Sequence, residues 1–133
     1  MGLRVIKSVS WILLICPLSL MGYVEEKETQ GEQVERVVRD LQDENEDVRW
    51  NAVEVLRQMG SLDTVTVLME ALKDENEDVR WNAVEALKEI GALDAVPALI
   101  QVLKDQNEDV RWNAVQALEK IDTPEALKAL KEY

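Results

Sequence analysis

The segment DENEDVRWNAVE (43–54) places Asp43, Asn45, Asp47 and Glu54 where a calcium-binding loop carries its first, third, fifth and last side-chain ligands. Oxygen atoms at that spacing suit a hard divalent cation. The loop also needs a glycine directly after the third of those ligands, where the backbone turns sharply, and Val48 stands there. A β-branched residue resists the left-handed conformation required. In the third copy of the segment, Gln116 replaces the acid that would grip the ion with both oxygens. Residues 46–59 also follow a helical period. The acids are therefore expected to decorate a helix N-terminus, where the helix dipole favours negative charge. No metal site is expected.

Histidine is absent. That removes a histidine general base, histidine–carboxylate iron or zinc centres and a Ser-His-Asp triad. The acids recur at equivalent surface positions instead of pairing in a cleft, so the chain is expected to be noncatalytic and to carry no cofactor. What remains is a trio of tryptophans, Trp50, Trp81 and Trp112, each inside an identical NEDVRWNAV at 45–53, 76–84 and 107–115. An indole offers a large apolar face and one N–H donor, which enriches tryptophan at binding hot spots. With Val48 at the origin of a helical wheel, Trp50 falls at about 200°, off the core-facing stripe. Asn51, Asn82 and Asn113, then Glu54, Glu85 and Gln116, flank the indoles and complete the candidate binding residues. A competing reading has each indole cover the seam between repeats, packed on stems such as Arg57 and Lys88. Both readings are open at this point.

The elements that position these residues follow from the repeat itself. Blocks 41–71, 72–102 and 103–133 align without a gap; the first two agree at 19 of 31 positions and the last two at 18, far beyond amphipathic patterning. In the first block Val48, Ala52, Val55, Leu56 and Met59 share an arc about 100° wide, the width of a core-facing helical stripe. Asn45 is a preferred N-cap and Gly60 suits a left-handed C-cap, a grammar repeated at Asn76 and Gly91. In the third block Asp122 takes the glycine position, and Thr123-Pro124 opens the next helix. A shorter apolar pattern follows each long one: VTVLMEAL (65–72), VPALIQVL (96–103) and ALKALKEY (126–133). One such hairpin cannot bury its stripe alone, whereas stacked copies can. The sequence thus predicts an all-α, right-handed α-solenoid of antiparallel helix pairs at about 32–59, 63–90 and 94–121, closed by a helix at 124–132.

The segment LKDENEDVRWNAVEALKEIGALDAVPALIQVL (72–103) resembles the HEAT repeat, of the armadillo type, in the short form named after the phycobilisome lyases. Asp74, Val79, Arg80, Ala83, Ala86, Leu87, Ile90, Gly91, Ala95, Val96, Pro97, Leu99 and Leu103 carry the likeness, which runs from about residue 32 to the end. Leu62 and Leu93 depart from it, standing where the family more often has proline. Through the resemblance, the turn aspartate and the arginine six residues on form a ladder joining neighbouring repeats. The pairs implied are Asp43/Arg49, Asp74/Arg80 and Asp105/Arg111, all structural. The resemblance also places the second helix of each pair on the concave face, with the position after Val-Arg pointing into a groove. The His-Glu hydroxylase branch of such folds is excluded by the missing histidine.

Composition bounds the rest. MGLRVIK is basic and SVSWILLICPLSLMGYV (8–24) uncharged, ahead of a very polar stretch. Residues 1–22 are expected to be a signal peptide, with an N-terminal membrane anchor as the alternative; the run is shorter than the ~20 residues a span needs and contains Pro17. Residues 23–31 form a polar linker, and 32–133 a HEAT-like domain of about 3.5 repeats. Cys16, the one cysteine, leaves with a cleaved leader or is lipidated. The chain carries a formal charge of −12, and a mature form would hold 13 basic against 27 acidic residues. Nucleic acid and anionic membranes are therefore poor partners, and membrane contact is expected only through the N-terminal segment. The expected function is that of an exported, noncatalytic module whose acid-rimmed tryptophan face holds a basic or amphipathic protein or peptide. The alternatives are a structural spacer at a membrane, engaged through its terminal helices, and a chromophore-handling protein like the lyases.

Overall fold

The computed structural model describes residues 28–133, so the leader expected at 1–22 and most of the linker lie outside the described residues. Seven α-helices follow: α1 Gln30–Asp40, α2 Glu46–Met59, α3 Val65–Ala71, α4 Glu77–Ile90, α5 Val96–Val102, α6 Glu108–Ile121 and α7 Pro124–Glu132. Short 3-10 turns at Leu62–Thr64 and Leu93–Ala95 lead into α3 and α5. No strand occurs among the described residues, and no helix there is long and apolar enough to cross a membrane.

Local chemistry sets each boundary. The Asn45, Asn76 and Asn107 side chains accept the backbone N–H two residues ahead at 2.8–2.9 Å, satisfying donors that the first helical turn leaves unpaired. At the far ends Gly60 and Gly91 adopt φ of 56° and 68°, and Asp122 does the same at 54°. A β-carbon at Gly91 would meet nothing within 4 Å, so the cost of a side chain there is the left-handed backbone alone. Thr123 caps α7 by accepting the Ala126 N–H at 3.1 Å, with Pro124 directly behind it.

The long helices α2, α4 and α6 lie side by side in one layer. Beneath them α3 packs on α4, α5 on α6, and α7 on both α5 and α6. Leu56, Leu87 and Leu118 from the long helices and Leu68 and Leu99 from the short ones are wholly buried, one set per repeat. The solenoid expected from the repeat is thus the observed architecture. The buried stripe is wider than the apolar arc predicted for the first copy. Val53 and Val84 are fully buried, while the equivalent Val115 is half-buried. Conversely Val79 and Val110 are buried, while Val48 is half-buried. Neighbouring long helices extend the stripe on each flank: the Val53 position meets the following repeat and the Val48 position the preceding one.

The arginine ladder has a different register from the one expected. Asp43, Asp74 and Asp105 do not pair through their carboxylates with the arginine six residues on. Arg49 donates from Nε and Nη2 to both carboxylate oxygens of Asp74, in the next repeat, at 2.9 and 3.1 Å. Arg80 does the same to Asp105 at 2.8 and 2.9 Å. Within its own repeat each arginine instead uses Nη1 on backbone carbonyls: Asp43 and Glu44 for Arg49, Asp74 and Glu75 for Arg80, Asp105 and Gln106 for Arg111. The reason is local. The aspartate carboxylate already accepts the N–H of the asparagine two residues on, and the arginine fork spans outward to the following turn.

Two sets of variants test this account. Gly91→Ala should lower unfolding free energy by about 1 kcal/mol and Asp122→Gly should raise it by up to about 1 kcal/mol, read by urea denaturation. The Arg80 and Asp105 side chains are only 12% and 9% exposed, so Arg80→Ala should cost about 3 kcal/mol by leaving a carboxylate buried and unpaired. Arg111→Ala, which loses backbone-carbonyl bonds alone, should cost about 1 kcal/mol. Equal losses at the two positions would contradict the inter-repeat register.

Candidate functional site

The three tryptophans stand on the water-facing side of the long-helix layer. Trp50 and Trp81 are 39% and 41% exposed, and Trp112 is 63% exposed. The difference measures what the next repeat covers: α4 and α6 follow Trp50 and Trp81, whereas α7 follows Trp112 and joins the short-helix layer. Each inner indole therefore covers part of a seam and still leaves two-fifths of its surface in water.

Trp81 and Trp112 line one shallow concavity of ≈ 260 Å³ with Glu77, Asp78, Asn107 and Asp109. Glu77 and Asp78 precede Trp81 by four and three residues, which puts them on its helix face. These first-turn acids form the rim. Glu54, Glu85 and Gln116, expected to flank the indoles, do not line this concavity; the three- and four-residue spacing of Glu77 and Asp78 to the indole is the sequence signal for the acids that do.

Glu54, Glu85 and Gln116 are half-buried one turn beyond the indoles. Glu54 accepts from Arg57 at 2.9 Å through both oxygens and from Gln58 at 3.1 Å. The Arg57 guanidinium, followed by Gln58, holds the Glu54 carboxyl below the ordinary glutamate range, against the effect of burial. Glu54 in turn raises Arg57, which also reaches Glu89 of the next repeat at 3.0 Å. Glu85 is paired with Lys88. These carboxylates are committed to cations within the chain. In the same way the Asp74 carboxylate raises Arg49 above the usual arginine value.

The asparagines divide by position. Asn51 is exposed, whereas Asn82 and Asn113 are buried. Asn82 Nδ2 donates to the Trp50 carbonyl at 3.4 Å, and Asn113 Nδ2 to the Trp81 carbonyl at 3.1 Å. Asn113 Oδ1 also accepts from Lys88 at 3.1 Å. Asn82 and Asn113 are thus corrected from binding residues to inter-repeat ties, because each faces the helix before it. The signal was present in the wheel: the asparagine sits about 60° from the core valine, inside the flank a neighbouring helix covers. Asn51 has no preceding long helix among the described residues and stays in water.

The acids of the calcium-like segment are engaged by backbone. Asp43 accepts the Asn45 N–H at 2.8 Å, Asn45 accepts the Asp47 N–H at 2.9 Å, and α2 begins at Glu46. A continuous helix occupies the stretch that an ion-binding loop would wrap. Among the described residues no group of three or more acidic or cysteine side chains converges on a common point.

Comparison with known proteins follows the same lines. A family model described as HEAT repeats matches residues 21–77, 34–95 and 65–133. Among solved structures, the complex of CpcE and CpcF of phycocyanin lyase from Nostoc sp. PCC7120 matches at 30% identity and a TM-score of 0.66, covering 74% of this chain and 41% of the matched chain. An engineered protein matches at 23% identity and a TM-score of 0.56, covering 74% of this chain and 50% of that one, a likeness of fold alone. The chain spans about two-fifths of the lyase-complex chain it matches. No curated protein matches. Three overlapping matches across the helical array, with its 31-residue period and long-on-long helix stacking, place this chain in the HEAT-repeat family.

Proposed function

We propose that the protein is a noncatalytic binding module that holds a basic or amphipathic segment of a partner protein across Trp50, Trp81 and Trp112. The observation that carries this reading is the exposure that remains on Trp50 and Trp81 after the next repeat has covered them. Seam-covering alone asks for a side chain that ends in the seam, whereas two-fifths of each indole meets water. An aromatic row with unoccupied faces is the composition of a binding hot spot. The rim acids Glu77, Asp78 and Asp109 and a net charge of −12 give the surface a sign that selects cationic segments. The solved relative whose description names a complex of two proteins supports a protein partner. Export through residues 1–22 belongs to the same proposal.

The phycocyanin-lyase likeness favours one second reading, a role in handling a tetrapyrrole chromophore. A purified protein that absorbs in the visible, or binds a bilin, would support it over the binding module.

Affinity capture from the native host tests the first reading. The triple variant of Trp50, Trp81 and Trp112 to Ala should lose its captured protein, and Trp112→Ala alone should weaken capture while changing stability by no more than about 1 kcal/mol. Capture should also weaken as salt rises. Unchanged capture by a folded triple variant would rule the indole row out. Intact-mass measurement of the native protein should show the leader removed near Gly22.

A further inference from the structure

Two seams separate the three long helices, and their water-facing rims differ in a bond. At the first seam, Asn76 Nδ2 donates to Glu46 Oε2 of the preceding repeat at 3.0 Å. At the second, the equivalent Asn107 and Glu77 make no such bond among the described residues, and both line the ≈ 260 Å³ concavity with Trp81 and Trp112. Glu77, Asp78 and Asp109 on this rim are exposed. Among the described residues no lysine or arginine forms a salt bridge with any of the three. They differ in this from Glu54 and Glu85, whose charges are met within the chain.

We propose that this concavity is a subsite for one arginine side chain of the partner segment. Its guanidinium lies between the Trp81 and Trp112 indoles and donates to Glu77 and Asp109. The inference rests on the indole-row reading given above and names the group that the row selects.

Shape, charge and hydrogen bonding each narrow the occupant. Equivalent points on the packed helices α4 and α6 stand about one helix spacing apart, ~8–10 Å. A flat group in contact with an indole on each side, at ~3.5–4.0 Å from each, takes up most of that interval. An indole face attracts a cation, and three carboxylates without a cation of their own add to the same sign. Those carboxylates also call for N–H donors. A quaternary ammonium meets the indoles but has nothing to donate. The lysine ammonium donates but is compact, strongly hydrated and without a flat face. The guanidinium stacks on a ring and donates within its own plane. The first seam is a weaker counterpart, because Glu46 already accepts from Asn76.

The test is a titration of the isotope-labelled full chain with N-acetyl-arginine amide, followed at the indole N–H resonances. The Trp50→Phe, Trp81→Phe and Trp112→Phe variants assign those resonances. The Trp81 and Trp112 signals should move together and saturate, and the Trp50 signal should move less. N-acetyl-citrulline amide, of the same shape without the charge, should bind at least about fivefold more weakly. N-acetyl-lysine amide and tetramethylammonium should each bind more weakly than the arginine probe. Glu77→Gln combined with Asp109→Asn should lose about fivefold in affinity with helical circular dichroism unchanged, whereas Glu46→Gln should bind as the wild type does. Equal binding of the arginine and citrulline probes, tighter binding of tetramethylammonium, full affinity in the double variant, or no saturable shift would each overturn the assignment. Any of these alongside lost capture by the folded triple tryptophan variant would remove the arginine subsite and leave the indole row as the docking surface.

Discussion

The arginine fork between repeats is the contact on which the rest of the molecule depends. A 31-residue helix pair carries an apolar stripe too wide to be covered from within, and it needs a neighbour at a fixed rotation and height. The guanidinium supplies that geometry. One nitrogen holds the carbonyls of its own turn, and two others hold the aspartate of the next turn. That aspartate also accepts the N–H of the asparagine that caps the next long helix. Cap, turn and neighbouring repeat are therefore joined through one carboxylate. The buried asparagine on the preceding tryptophan carbonyl adds a second tie one turn along.

This arrangement explains which side chains the stack leaves in water. Polar groups that face a neighbouring helix help to hold it: Asn82 and Asn113 reach the preceding tryptophan carbonyl, and Arg57 reaches Glu89 of the next repeat. The indoles keep about two-fifths or more of their surface in water, and Glu77, Asp78 and Asp109 stand beside Trp81 and Trp112. The same vectorial logic makes the two ends of the stack unlike its middle. A residue identical in sequence is buried or wet according to whether a repeat stands on its side, as Val48 and Val79 or Asn51 and Asn82 demonstrate.

Much of the fold was legible in the letters. Asn45, Gly60, Asp122 and Thr123-Pro124 announce their caps by residue type alone, because capping is a local property of a few consecutive residues. The period announces the stacking. What stayed hidden is the register between repeats. The wheel of a single helix treats Val53 and Asn82 as flank positions, and only a neighbour at a known rotation turns a flank into core. The aspartate–arginine pairs were misassigned for the same reason: three identical copies make Asp43 and Asp74 indistinguishable as partners for Arg49. The sequence sets Glu54, Glu85 and Gln116 beside the indoles, whereas the acids that share a concavity with Trp81 and Trp112 are Glu77, Asp78 and Asp109. Spacing of three and four residues back to Glu77 and Asp78 held the answer.

A double-mutant cycle gives the most direct measure of the central claim. Unfolding free energies of Arg49→Met, Asp74→Asn, Asp43→Asn and the two double variants with Arg49→Met yield two coupling energies. The inter-repeat rung predicts about 2 kcal/mol of coupling between Arg49 and Asp74 and almost none between Arg49 and the Asp43 side chain. Coupling concentrated on Asp43 would mean that each arginine serves its own turn, and the repeats would have to be held together by something else.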